Sequence, residues 1–398
     1  MATIDEFADT SWEDLLAELR SREASDRGEA PATRSTGPLA EAESSALAAA
    51  VREQQRVIYG VDDRVDLFEV TDAAVLADGD AVAALFAAGA VIDNGDGTSR
   101  LVTQTFAAAN NVCPSERFAN QPVGAFCSGF LVAPDIVATA GHCVRAPLIG
   151  NVRFVFGFRM QDATTATTTV ANTQVYRGVA VIGRQKIEAG GVGADWALVR
   201  LDRPVPDHRP VPIRRAGKIG DDQAVHVIGH PSGLPTKFAD GARVRNNSAT
   251  AVFVANLDTY GGNSGSPVFN RDTHEVEGIL VRGEVDFVSA GSCRVSLVCP
   301  ASGCRGEDVT RTTVFAPALD GTVNRSRLLR SGTQGIDVSE WQGQLNVVRA
   351  DLIDVDGIFG PDTDRATRDF QRSRGLAVDG IVGPNTRAAM AAATGTGT

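Results

Sequence analysis

Over residues 57–323 the sequence moves, past one Ala-rich stretch at 81–92, in short runs of β-forming residues that Gly, Asn, Asp and Pro repeatedly interrupt. The runs include 130–132, 151–157, 167–175, 197–201, 224–228, 251–254 and 278–281. Many short strands joined by turns close into a barrel or pack as a sandwich, so this stretch is expected to be mostly β. The 41 glycines supply turns of the kind such a fold needs. A chain of 398 residues has room for two or three folded units, each with its own core.

Both flanks differ in texture from this middle. Residues 1–56 are rich in Ala, Glu and Arg and poor in aromatics. Ser11 and Asp14 have capping-box spacing, and Trp12, Leu15, Leu16 and Leu19 then recur at helical intervals. A polar stretch over 20–37 reads as linker, and 39–55 as a second helix. This helical extension is expected to be a pro-segment, a partner-docking segment or a loose N-terminal arm. At the other end Asp356-Gly357-Ile358-Phe359-Gly360-Pro361-Asp362-Thr363 recurs as Asp379-Gly380-Ile381-Val382-Gly383-Pro384-Asn385-Thr386, each copy running into a helix-like stretch. The expected division is an extension over 1–56, a β domain over 57–324, a linker over 325–343 and a small all-α domain over 344–393.

A net charge of −11 argues against a nucleic-acid partner, whose phosphates demand Lys and Arg. No run approaches the length of a membrane span, and the first residues lack the basic and apolar regions of a secretory signal. The six cysteines, Cys113, Cys127, Cys143, Cys293, Cys299 and Cys304, form no C-x-x-C pair, so disulfides in an oxidising compartment are the expected use. Cysteine usage therefore points to a secreted or cell-envelope location, while the N-terminus points to the cytoplasm.

A serine hydroxyl becomes a nucleophile only beside an imidazole that takes its proton, a carboxylate that fixes the imidazole tautomer, and backbone donors for the oxyanion. Three segments offer those parts in the order His, Asp, Ser: Thr139-Ala140-Gly141-His142-Cys143, Gly193-Ala194-Asp195-Trp196-Ala197-Leu198, and Gly261-Gly262-Asn263-Ser264-Gly265-Ser266-Pro267. The order and the local sequences resemble the trypsin-like serine proteases, and the third segment looks most like their glutamyl endopeptidase branch. That resemblance implies two six-stranded β-barrels. It makes His142 the general base, Asp195 its orienting carboxylate and Ser264 the nucleophile, with Gly262 and Ser264 providing the oxyanion-hole N–H groups. It also pairs Cys127 with Cys143 around the histidine loop. Cys293, Cys299 and Cys304 invite one local bridge and one long bridge to Cys113, with the connectivity open.

The resemblance divides over specificity. Asp258 stands where trypsin-type enzymes place the acid that binds Arg or Lys, and Thr259 where glutamyl endopeptidases have a threonine. Leu280 stands where those enzymes use a histidine. Arg282 could meet an acidic side chain, or pair with Asp258 and cancel both. The balance leans towards a basic residue before the scissile bond. Asn263 replaces the trypsin Asp that receives a new N-terminal amine, yet Arg56-Val57-Ile58-Tyr59-Gly60 looks like a processing site, so cleavage after Arg56 is expected to free Val57. His226 and His230 read as structural, and His208 and His274 have no partner pattern, so no metal site is expected.

The C-terminal repeat, with Phe370-Gln371 and Gly375-Leu376, resembles peptidoglycan-binding domains, which implies peptidoglycan as a possible partner besides protein or peptide substrates. The chain is thus expected to be a trypsin-like serine endopeptidase that needs no cofactor. The alternatives are a hydrolase of peptidoglycan stem peptides, a catalytically silent wall-binding scaffold, and a cytoplasmic protease activated by a partner.

Overall fold

The computed structural model describes residues 58–59, 62–186, 193–282, 286–299, 304–320 and 326–394. The expected N-terminal helices and the Arg56–Val57 bond lie outside the described residues.

Six strands close the first barrel: β1 (Val82–Ala87), β2 (Cys127–Ala133), β3 (Ile136–Thr139), β4 (Val152–Phe156), β5 (Val175–Lys186) and β6 (Asp195–Leu201), in the order β4-β5-β6-β3-β2-β1 with β1 returning to β4. The Ala-rich stretch supplies β1. Ala83 and Leu85 enter the main core while Ala84 and Phe86 enter a second cluster with Leu101, Val155, Phe158 and Val170. A strand buried on both faces has no polar alternation, which is why the sequence pattern there is silent.

The second barrel consists of β7 (Ala224–Gly229), β8 (Lys237–Asn246), β9 (Val252–Ala255), β10 (Pro267–Asn270), β11 (Val276–Arg282) and β12 (Glu307–Arg311). They follow the order β7-β10-β11-β12-β9-β8, closed by β7 against β8, and a short strand at Val65–Asp66 adds to β8. Its interior holds Val225, Val227, Val244, Phe253, Val268, Leu280 and Val309. The two six-stranded barrels are those the resemblance implied, and β6 joins them where the Asp195 N–H donates to Thr310 Oγ1 at 3.0 Å.

Three disulfides fasten the loops: Cys113–Cys293, Cys127–Cys143 and Cys299–Cys304. The long bridge and the local one expected of the later cysteines are both present. Ile58–Tyr59 pairs in parallel with Val298–Cys299, and Ile58 is buried beside Phe106, Leu234, Tyr260 and Phe287.

Short helices α1 (Ala73–Asp80), α2 (Phe106–Asn110) and α3 (Ala316–Asp320) decorate the barrels, and α4 (Ile336–Val348), α5 (Pro361–Ser373) and α6 (Pro384–Thr394) form the C-terminal module. The linker expected over 325–343 is corrected here, because α4 starts inside it and buries Val338, Trp341 and Leu345 in the module core. The internal repeat shows why. Gln342 Nε2 donates to Asp356 Oδ1, Ile358 O and Thr363 Oγ1 at 2.7, 3.0 and 2.9 Å. Gln371 Nε2 makes the same three bonds one repeat later, to Asp379 Oδ1, Ile381 O and Thr386 Oγ1 at 2.8, 3.0 and 3.3 Å. Each Asp-Gly-Ile turn thus needs the carboxamide of the preceding helix, so the first repeat is incomplete without α4. Among the described residues no helix is long and apolar enough to cross a membrane.

Candidate active site

His142 lies in the single helical turn Gly141–Cys143 that follows β3. Its backbone N–H donates to Asp195 Oδ1 at 3.0 Å, and its Nδ1 lies 2.7 Å from Asp195 Oδ2. An ionised carboxylate only accepts, so Nδ1 carries the proton and Nε2 presents its lone pair. Asp195 is 2% exposed. Burial alone would raise its carboxyl, but the charge and hydrogen bonds of His142, and then Arg282, hold it below the usual carboxylate range.

Ser264 is buried in the tight turn after Leu257, which is closed by Asn263 N–H to Tyr260 O at 3.1 Å and Ser266 N–H to Asn263 O at 3.0 Å. The Asn263 side chain braces this turn from within, donating to Thr259 Oγ1 at 2.5 Å and accepting from Ser266 Oγ at 2.8 Å. Gly262 has φ +85°, and a Cβ there would sit 3.0 Å from Gly233 N and 3.3 Å from His230 O. The Ser264 carbonyl accepts from Ser128 N–H at 2.8 Å and lies 3.7 Å from Cys143 Sγ. The histidine loop and the serine turn therefore meet beside the Cys127–Cys143 bridge.

Residues 127–279 match the family model described as "Trypsin-like peptidase domain". The chain carries a trypsin-like peptidase domain. Residues 334–390 match the model described as "Putative peptidoglycan binding domain", a range that includes all of α4. Among solved structures, the chain is similar to a Glu endopeptidase at TM-score 0.39 and 17% identity, over 67% of this chain and 98% of that one. Human heparin binding protein is similar at TM-score 0.39 and 15% identity, over 63% and 93%. Neither likeness bears on what the peptidase domain here cleaves.

Around this centre, each of the specificity residues expected from the sequence has contacts of its own. Asp258 Oδ1 and Oδ2 accept from the backbone N–H groups of Tyr59 and Asp63, at 2.7 and 3.2 Å, so its carboxylate holds the N-terminal segment. Thr259 is fully buried and accepts from Asn263. Leu280 points into the second barrel's interior, because strand alternation sends Ile279 and Val281 the other way, to the core between barrels. Arg282 does not meet Asp258. Its Nη2 donates to Gly193 O at 3.2 Å and lies 3.9 Å from Asp195 Oδ2, and its Nη1 is 4.0 Å from Asp308.

The remaining histidines also have definite places. His230 Nδ1 donates to Leu234 O at 2.9 Å and its ring stacks on Phe158; burial pushes it down to about 4, so it is neutral. His208 and His274, which show no partner pattern in the sequence, meet acids of α1: His208 lies 2.9 Å from Asp80, and His274 2.6 Å from Asp78 Oδ2. The same Asp78 oxygen is 3.2 Å from His226 Nε2. Asp78, His226 and His274 could together hold a metal ion, as could Cys127, His142 and Cys143 by position alone. The second set is excluded as a thiolate site by its disulfide. In the first, a metal on His226 Nε2 would move the proton to Nδ1, which is buried without a hydrogen-bond partner against Phe238 and Phe269. Two imidazoles donating to one carboxylate fit these residues better.

Proposed function

We propose that the chain is a serine endopeptidase, with Ser264 as nucleophile, His142 as general base, Asp195 as the orienting carboxylate, and the Gly262 and Ser264 N–H groups as oxyanion donors. One observation carries the reading: Asp195 grips His142 at both its backbone N–H and its Nδ1, beside the turn that bears Ser264. Ser264 Oγ adds to the scissile carbonyl carbon as His142 Nε2 takes its proton, and the carbonyl electrons become an oxyanion. Collapse breaks the C–N bond, and the departing amine takes the proton from His142. Water, deprotonated by the same nitrogen, then cleaves the ester and Ser264 recovers its proton. Residues 57–324 would form the peptidase unit, released from 1–56 by cleavage after Arg56.

The three disulfides and the peptidoglycan-binding-type module support a secreted or cell-envelope protein. That module also favours a second reading, in which the substrates are peptidoglycan stem peptides. Incubating the full chain, the form that begins at Val57, and Ser264→Ala in that form with a peptide library, purified cell wall and a fluorophosphonate separates these readings. Peptide cleavage and labelling lost in the variant support the endopeptidase. Amine release from wall alone supports the second reading. No Ser264 labelling and no cleavage in either substrate would sink both.

A further inference from the structure

The C-terminal module is seated on the first barrel, directly behind the histidine loop. Helix α4 lies along β5, the Ser339 hydroxyl donates to the Arg184 carbonyl, and the Lys186 N–H donates to Asp356 O at 3.3 Å. Val355 is fully buried in the barrel's main core. The module is thus packed against the peptidase domain through the turn that opens its first repeat.

At that contact sits a buried guanidinium. Arg184 Nε donates to Gly141 O at 2.5 Å, and its Nη1 donates to Val355 O at 3.4 Å. The same Nη1 lies 3.2 Å from Asp354 Oδ1, an ion-pair distance without hydrogen-bond geometry. Asp354 Oδ2 accepts from Arg145 Nε at 3.2 Å. One carboxylate of the module therefore meets cations that flank the histidine loop on both sides.

The carbonyl that Arg184 holds belongs to the peptide unit joining Gly141 to His142. The N–H of that same unit donates to Asp195 Oδ1. Its two polar ends are fixed from opposite sides, and a Cβ on Gly141 would come within 2.5 Å of Gln185 O and 2.8 Å of Asp195 Oδ1, so the loop has no slack. A planar peptide cannot tilt without swinging both ends. Releasing the carbonyl would loosen the His142 N–H from Asp195 and shift the imidazole.

We propose that Arg184 is a positioning residue for the reaction and that Asp354 of the C-terminal module holds it in place, so the module completes the active site. This rests on the reading of His142 as general base. A buried guanidinium that loses its carboxylate seeks water, which in this position means leaving Gly141 O.

The test uses the full chain with Asp354→Asn, Asp354→Glu and Arg184→Gln, and Arg365→Gln on the module's exposed face as control. Peptide turnover should fall about tenfold in kcat with KM within about twofold in Asp354→Asn, and recover in part in Asp354→Glu. Hydrogen exchange at the His142 amide should quicken about tenfold in Asp354→Asn and Arg184→Gln and stay unchanged in the control. Should Arg184→Gln fail to fold, the two Asp354 variants carry the test. Wild-type exchange at the His142 amide in folded Asp354→Asn overturns the proposal. That readout needs no turnover, so it decides the matter even if fluorophosphonate labelling of Ser264 fails and the endopeptidase reading falls by itself.

Discussion

Asp63→Asn should stabilise this protein, and should do so only away from acid pH. Asp258 spends its carboxylate on the Tyr59 and Asp63 N–H groups, which brings the Asp63 carboxyl against it with one oxygen buried and lacking a hydrogen-bond partner. Burial first, and then the Asp258 charge, push the Asp63 carboxyl up; burial pushes Asp258 up as well. A carboxyl raised on folding contributes its full stability below the unfolded value and loses it as pH rises through the folded one. At neutral pH and above, the native pair must therefore bear like charges or keep a proton that the unfolded chain gives up. Two unit charges about 4 Å apart repel by about 4 kcal/mol at an effective dielectric near 20, which sets the scale for a pair in contact. Arg64, whose charge lowers Asp258, and partial solvent access reduce this to about 1–2 kcal/mol. For a domain of this size that is about 2–8 °C in Tm. Calorimetry of the full chain at about pH 8 should show the rise, and at about pH 4 almost none. An equal rise at both pH values, or a lower Tm at the higher one, would refute the reasoning.

Two further predictions concern the reaction centre and its backing. Asp195→Asn should lower kcat by about four orders of magnitude without unfolding the protein, because an amide N–H facing His142 Nδ1 selects the wrong tautomer; a loss under about tenfold would remove Asp195 from its role. His230, pushed down to about 4 by burial, should cost about 3 kcal/mol of stability as pH falls from about 6.5 to about 4, since only the unfolded chain takes up the proton there. Denaturant titrations across that range should show the slope in wild type and a flatter curve in His230→Gln; parallel curves would assign the acid limb to other groups.

What was legible in the sequence were features that local chemistry writes down. Gly261-Gly262-Asn263-Ser264-Gly265-Ser266-Pro267 is readable because a sharp turn with a positive φ at Gly262 admits few sequences. The repeated Asp-Gly-Ile turns are readable because each closes on the same pattern of bonds. The strand β1 was not legible, since burial on both faces erases the alternation that marks a strand. Long-range electrostatics left no local trace at all. Asp258 stands at a position that suggests a specificity acid, and only the fold brings Tyr59 and Asp63 to occupy it. Arg282 could be matched by sign with any acid, and three-dimensional closure alone sets it beside Asp195.

Arg184 makes the same point most sharply. In the sequence it is one arginine outside the runs that read as strands, separated from Gly141 and from Asp354 by long stretches of chain, and the expected linker before the C-terminal module hid any reason to pair them. Burial changes its meaning: a guanidinium shielded from water must find acceptors within reach, and those it finds are the carbonyl before His142 and a carboxylate from the module. A module attached only by a flexible tether would have no need of Val355 in the barrel core or of Ser339 on the strand behind the histidine. The seating is specific at the level of individual hydrogen bonds, and it falls on a loop whose geometry the proposed chemistry depends on.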